Sequence, residues 1–382
     1  MKKIGLLSGQ ENSFPQALLD RINEKEVDGV TAEFVSIDKV IQGTPADYAV
    51  ILDRISQHVP FYRTWLKQAS LDGTAVINNP FWWSADDKFV NNELAHRTGV
   101  KVPKTALLPS RSLPENTSDK SFHNLVYPFD WDAIFEHIGF PAYLKPYNGG
   151  GWKNVYKVHN REEFFAQHAR TGQLVMMLQE EIAYESYYRC YCIGGKYVRV
   201  IPYDPYQPEN QRYLQEDKGD KAIYSAISQQ VAMLNQYLGY DFNAVEIAVR
   251  GGVPYVIDFW NPSPEADAHT IGTNNFEWVI ETMATYLIER AGKQVPGTDN
   301  LTWGTFLQQA IHGKQTAIVP GATPVSAKKP ATNTTKVSAK TPESSKKPAA
   351  AKPKAVKAAK AEKAPKKETP KKASAKKTKK KE

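Results

Sequence analysis

Cysteine is scarce in this chain of 382 residues: there are two, Cys190 and Cys192. One residue apart, they would point the same way on a strand and are too constrained to bridge well. A disulfide framework is therefore excluded. The ordinary reading is a pair of small, half-buried side chains in a reducing, cytoplasmic setting. Long apolar runs are also missing. None reaches the length of about 18 residues that a membrane span requires. The N-terminal stretch MKKIGLLSGQENSF has only IGLL as an apolar run, too short for a signal-peptide core, and it reads as a first strand. The 8 histidines show no metal-ligand spacing. With 41% hydrophobic and 11% aromatic residues, most of the chain is expected to be globular, in two or three domains.

Negative charge is sparse at the end of the chain. Residues 322–382 contain 20 lysines, no arginine and 4 glutamates, a net charge of about +16. The remainder is then about −8, and the overall +8 describes neither part. The tail is Ala, Lys, Pro, Ser and Thr, and it cannot bury enough apolar surface to fold alone. It is expected to be disordered and to bind nucleic acid or another polyanion through phosphates without sequence preference. The bland alternative is a solvating tail, or one that pairs with the acidic body.

Before the tail, strand and helix signals alternate. Apolar, β-branched runs at 4–7, 32–37, 48–55 and 74–80 are separated by helical patterns that begin near Pro15 and at 61–73. This order predicts a small open parallel sheet over residues 1–85. A helix is expected over 84–99, capped by Ser84 and ended by Gly99. An extended segment follows at 100–109, then an insertion loop at 110–131 and a short helix at 131–139. Further helices are expected at 161–172, 221–239 and 274–292, with a strand at 174–182. Two hairpins complete the pattern, 187–205 turning at Gly194-Gly195 and 243–264 turning at Gly251-Gly252.

Several pieces carry chemistry. The stretch AYLKPYNGGGWKNVYKV places Lys145 at the end of an apolar run, followed by Gly149, Gly150 and Gly151. Three successive glycines cost ordering entropy, and a glycine-rich turn beside a lysine is a usual host for phosphate. Glu246 and Asp258 sit in apolar runs on the two strands of one hairpin, with Asn261 three residues on. Carboxylates in such runs are costly unless paired or metal-bound. Two carboxylates and an amide oxygen suit Mg2+ carried with nucleotide phosphates. The alternatives are that both acids face solvent, or that they pair with Arg250 and Arg199. Lys88 opens a helix and adds positive charge, or serves as an ordinary i,i+4 partner. Glu180 and Glu181 end a strand, where one could accept from a base or ribose or both could line a wet turn. Arg54, after a strand, is a low-ranked anchor for a substrate carboxylate.

Together, in this order, DDKFVNNELAHRTGVKVPKT, AYLKPYNGGGWKN, LQEEI, YYRCYCIGGKYVRV and AVEIAVRGGVPYVIDFWNP resemble the ATP-grasp superfamily, which includes glutathione synthetases, D-alanine–D-alanine ligases and ligases that add amino acids to protein or peptide ends. The similarity spans about residues 1–292. It implies an α/β chain, α+β in its catalytic part: a Rossmann-like pre-ATP-grasp domain (1–85), an ATP-grasp domain (86–315, lid about 132–180) and the disordered basic tail. By position, Lys88 and Lys145 would touch ATP phosphates under a lid of Gly149, Gly150 and Gly151. Gln179, Glu180 and Ile182 would line adenine, and Glu185 would reach the ribose. Arg189 would face the transferring phosphoryl group, and Glu246, Asp258 and Asn261 would hold Mg2+, one or two ions, with Mn2+ as a substitute. The implied activity is an ATP- and Mg-dependent ligase that joins a carboxylate to an amine, from small molecules or peptides, through an acyl phosphate. A homodimer is a common assembly of the superfamily. The competing account is an ATP-grasp shell without turnover whose tail is the working part. Two departures stand out. Asp258-Phe-Trp-Asn261 is one residue longer than the usual Glu-x-Asn, which a bulge would accommodate. QRYLQEDKGDKAIYS also lacks the Asn and Gly-Gly pattern of glutathione-type relatives.

Overall fold

In the computed structural model, residues 1–81, 87–214, 220–261 and 263–295 are described. The basic tail, the expected cap Ser84 and part of the QRYLQEDKGDKAIYS loop lie outside them. Strand β1 (Lys2–Leu7) forms from the KKIGLL run, its last four residues buried. It lies between β2 (Val30–Phe34) and β3 (Val50–Asp53), and β4 (Ala75–Ile77) completes a parallel sheet of order β2-β1-β3-β4. All residues of β3 and β4 are buried, as expected for parallel strands covered on both faces. Alternation splits the sheet between two cores. Ile4, Leu6, Val50 and Leu52 face α1 (Phe14–Glu24), while Leu7 and Ile51 face α2 (Pro60–Leu71). Both helices carry proline in the first turn, where a missing N–H costs nothing.

Two antiparallel sheets follow. The first has the order β5 (Thr105–Leu108), β8 (Met176–Glu180), β6 (Ala142–Pro146), β7 (Tyr156–Val158). Phe135 of α4 (Trp131–Ile138) and Phe164 of α5 (Arg161–His168) pack on Leu144 and Leu178 of its strands. The stretch 110–131 expected as a loop is interrupted by a 3-10 turn at Asp119–Phe122. The second sheet has the order β10 (Tyr197–Pro202), β9 (Ser186–Ile193), β11 (Phe242–Arg250), β12 (Val253–Asp258). Its hairpin turns hold Gly194-Gly195 and Gly251-Gly252 at positive φ; the second is a two-residue turn of the kind that matches strand twist, and the first adds Lys196. Cys190 and Cys192 are both buried and unbridged in β9.

Helix α3 (Lys88–Arg97) is capped by Asp87, which accepts from Val90 N at 3.0 Å. Helix α6 (Lys221–Leu238) packs Ile227, Val231 and Leu234 against the β10-β9-β11-β12 sheet and ends at Gly239 in the left-handed region. A short helix α7 (Ala268–Ile271) precedes α8 (Thr273–Lys293). Val279, Ile280 and Met283 of α8 share a core with β1, α1 and the Tyr191–Phe242 face of the second antiparallel sheet. None of the described helices is long and apolar enough to cross a membrane.

The N-terminus of α1 lacks a cap of its own: Ser13 makes no capping bond and no acid sits in the first turn. Asp267, from beyond β12, fills that role. Its carboxylate accepts from Asn12 N (3.1 Å), Ser13 N (2.7 Å), Ser13 Oγ (2.9 Å) and Phe14 N (3.0 Å). Burial alone would raise its pKa, but the N–H groups of Asn12, Phe14 and Ser13 outweigh it and hold it below the usual range. Asp267→Ala should cost about 2–4 kcal/mol, since it strands buried donors at a positive helix end. A depressed carboxylate gives its stabilisation in full above its unfolded pKa and loses it on acidification. The gap between wild type and variant in thermal melts should therefore narrow below about pH 4. A gap that does not change with pH would show that Asp267 only fills space.

Candidate functional site

The site begins with three charges in one row of the second antiparallel sheet. Arg189 on β9 is the register partner of Glu246 on β11, and Glu246 is the partner of Asp258 on β12. The second pairing depends on a bulge. Ile247 lies opposite Val256, so regular pairing would set Glu246 opposite Ile257; instead it meets Asp258. The extra residue turns Asp258 to the face of Glu246, where a continued alternation would have put it on the other side.

Each acid of the row is held by a cation. Arg189 Nη1 donates to Glu246 Oε1 at 2.5 Å, and Tyr187 Oη donates to Glu246 Oε2 at 2.7 Å. Burial, then the charge of Glu246, pushes the Tyr187 hydroxyl pKa well up, so it stays a donor. Lys88 Nζ, from the first residue of α3, lies 2.8 Å from both oxygens of Asp258. Burial alone would raise Asp258, but the ammoniums of Lys88 and Lys145 hold it below the usual carboxylate range. Lys88 is thus a buried partner across the fold and not an i,i+4 partner on a wet helix. Its backbone N–H donates to Tyr147 O at 2.8 Å, which ties α3 to the end of β6.

Lys145 comes from β6 of the other antiparallel sheet. Among the described residues no carboxylate lies within ion-pairing distance of it. Burial and then the neighbouring Lys88 ammonium lower its pKa to about 8, against the opposing pull of Asp258 and Glu246. Lys88, Lys145 and Arg189 therefore outnumber the two carboxylates by one positive charge. The Arg189 Nε is buried and has no hydrogen-bond partner among the described residues. Around Lys145, where cations exceed carboxylates by one, the cleft suits an anion.

These groups open into a cleft of about 530 Å³ between the two antiparallel sheets. Gly149, Gly150 and Gly151 line it, as do Gln179, Glu180, Ile182 and Asn261. Gln179 is fixed by its donation to Thr105 Oγ1 (3.1 Å), and Ile182 is buried beside Tyr187 and Tyr203. Glu180 accepts from Arg250 Nη1 at 3.0 Å and from Lys104 N at 3.2 Å; Glu181 pairs with Lys157 at 2.7 Å. Asn261 is anchored through its backbone N–H to Asn243 Oδ1 (2.9 Å). Of the residues that the resemblance assigned to nucleotide and metal, Glu185 alone does not line the cleft. Its carboxylate accepts from Gly251 N at 3.0 Å and braces the hairpin turn.

Arg250 and Arg199 do not reach the paired acids; Arg250 serves Glu180, and Arg199 Nε donates to Asn275 Oδ1 at 2.7 Å. Arg54 is committed elsewhere. Its Nε lies 3.0 Å from Glu11 Oε1, and its Nη2 donates to Pro264 O at 2.7 Å. Sequence reasoning missed Tyr187, whose signal was its place two residues before Arg189 on the same strand face. It also missed Glu265, which lines the cleft from the segment after β12 and carried no local signal. Among the described residues no three Asp, Glu, His or Cys side chains form a metal cage by themselves.

The chain matches no protein-family model and no curated protein sequence. Solved structures do resemble it. D-alanine–D-alanine ligase from Bacillus anthracis, complexed with ATP, aligns over 77% of this chain and 98% of its own, with TM-score 0.51 and 14% identity. The ATP-grasp ligase PsnB, complexed with a minimal precursor, Mg and ADP, aligns over 76% and 98%, with TM-score 0.51 and 13% identity. The macrocyclase MdnC from Microcystis aeruginosa MRC, bound with precursor peptide MdnA, aligns over 76% and 100%, with TM-score 0.50 and 15% identity. The chain has the ATP-grasp fold, as the order of its motifs implied.

The lowered pKa of Lys145 has a consequence for stability. Between about pH 8 and about pH 10 the unfolded chain binds more protons at this residue than the folded one, so this contribution to stability rises with pH. Without nucleotide, Lys145→Met should be more stable than wild type near neutral pH, and the difference should shrink toward pH 10. Urea denaturation across that range tests this. Parallel stability curves would contradict the placement of Lys145 in a charge-excess cleft.

Proposed function

On the ATP-grasp fold of this chain, we propose an ATP- and Mg2+-dependent ligase that joins a carboxylate to an amine through an acyl phosphate. The observation that carries this reading is the convergence of Lys88, Lys145 and Arg189 on the Glu246–Asp258 row inside one cleft. Phosphoryl transfer asks little covalent chemistry of a protein. It needs positioned positive charge where oxygens gain negative charge. Lys145, without an anionic partner of its own, is assigned to the phosphates together with Lys88. Arg189, whose buried Nε has no hydrogen-bond partner among the described residues, is assigned to the transferring group.

Glu246 and Asp258 fit Mg2+, because one or two carboxylates with substrate phosphates suffice for this ion and a full protein cage is not required. Asn261 lies in the same cleft and completes the oxygen set. Mg2+ held there would neutralise charge on the phosphates. Gln179, Glu180 and Ile182, at the end of β8 and just past it, are assigned to the adenine. Gly149, Gly150 and Gly151 would let backbone approach the phosphates closely and cover them. Covering matters because water would hydrolyse an acyl phosphate before the amine could attack it. The substrates are assigned as small-molecule or peptide carboxylates and amines.

Phosphate release from ATP by the full-length protein, offered pools of amino acids and short peptides, tests this reading. Release should require both a carboxylate and an amine, and should fall at least about 100-fold in Lys145→Met. ATP turnover that needs neither substrate, or that survives loss of Lys145, would contradict it.

A further inference from the structure

Two carboxylates that line the cleft pair with no cation among the described residues, the exposed Glu209 and the half-buried Glu265, and only the second is partly desolvated. Glu265 is half-buried and lines the cleft. No Lys, Arg or His pairs with it among the described residues. Glu246, Asp258, Glu180 and Glu181, which also line the cleft, each meet a cation. An unpaired carboxylate in a partly desolvated cleft is costly unless a guest supplies the positive charge.

Its placement is braced from every side. The Arg54 guanidinium grips Pro264 O at 2.7 Å, and Ser263 Oγ grips Arg54 O at 3.1 Å in return. Arg54 itself is buried, with its guanidinium carbon 4.9 Å from the Phe14 ring centroid and 5.3 Å from that of Phe242. Tyr191 Oη donates to Glu265 O. Glu265 Oε1 accepts from Asp267 N at 2.8 Å, and Asp267 is the acid that caps α1. One carboxylate oxygen is thereby oriented, and the other is left for a guest.

Tyr191 links the Glu265 backbone to the surroundings of Arg189. The Tyr191 hydroxyl lies 3.0 Å from the Tyr213 hydroxyl, and both tyrosines are near enough to Arg189 to act on its charge. An ammonium entering the cleft would be repelled by Lys88, Lys145 and Arg189 and drawn to the half-buried acid that no cation neutralises among the described residues. We infer that Glu265 binds the ammonium of the amine substrate and orients its nitrogen, which makes a cationic primary amine the acceptor class. This inference rests on the ligase reading above.

Glu265→Gln removes the charge but keeps an Oε1 acceptor for Asp267 N, so the brace survives. Full-length wild type and variant are compared with Mg2+, ATP and a pool of the common amino acids near neutral pH. Phosphate release is followed with and without saturating hydroxylamine, a nucleophile that is neutral at that pH and traps acyl phosphates as hydroxamates. Without hydroxylamine, the half-saturating pool concentration should rise about 10- to 100-fold in the variant. With hydroxylamine it should change less than about twofold, because the cationic acceptor is then bypassed. An equal rise in both conditions would overturn the inference, since Glu265 would then serve the acid substrate or the fold. No rise in either would overturn it as well. Absence of hydroxamate from wild type would sink the ligase reading, and the inference with it, so the two failures are told apart.

Discussion

Arg189, Glu246 and Asp258 share one face of an antiparallel sheet because β12 carries one extra residue beside the Glu246–Ile247 step. Without that slip, period-2 alternation would turn Asp258 away from the cleft. Lys88 would then lose both of its 2.8 Å contacts, and α3 would lose the tie that its first side chain makes to the sheet. Lys145 would lose an acid that moderates its burial. The charge pattern of the cleft is therefore a consequence of backbone register more than of any single side chain.

The same row explains why the site spans the whole fold. Sheet β10-β9-β11-β12 supplies the row, α3 supplies Lys88 and β6 supplies Lys145. The parallel sheet enters through Arg54 at the end of β3, which clasps the segment after β12 from both sides. Asp267 makes a second clasp on α1. These contacts couple the N-terminal sheet to the segment that holds Glu265. A loosened α1 would be felt in the cleft although no residue of α1 lines it.

Much of this was legible in the sequence. The Gly-Gly turns fixed two hairpins, and acids inside the apolar runs NAVEIAV and PYVIDFWNP announced that those strands faced something charged. The alternation of strands and helices over residues 1–85 predicted the parallel sheet. What could not be read is long-range pairing. The Lys88–Asp258 contact joins residues 170 positions apart, and nothing local in DDKFVNN separates a buried lysine from a solvated one. The extra residue between Asp258 and Asn261 suggested a bulge, but the slip lies just before Asp258. Arg54 looked available to a substrate and is instead occupied by Glu11 and Pro264. Glu185 sat at a plausible offset for ribose, yet the Gly251 amide claims it. In each case a neighbour distant in sequence decides what the side chain does.

In the proposed ligase, the surplus positive charge around Lys145 would meet the phosphates of a nucleotide. An anion bound beside a lysine whose pKa lies at about 8 must raise that value, so binding must draw a proton from solution just above it. Isothermal titration of the full-length protein with MgATP, at a pH slightly above 8 in buffers of different ionisation enthalpy, measures that proton directly. Net proton uptake on binding is expected, absent in Lys145→Met. Binding of MgATP with no proton exchanged, or no binding at all, would contradict this assignment.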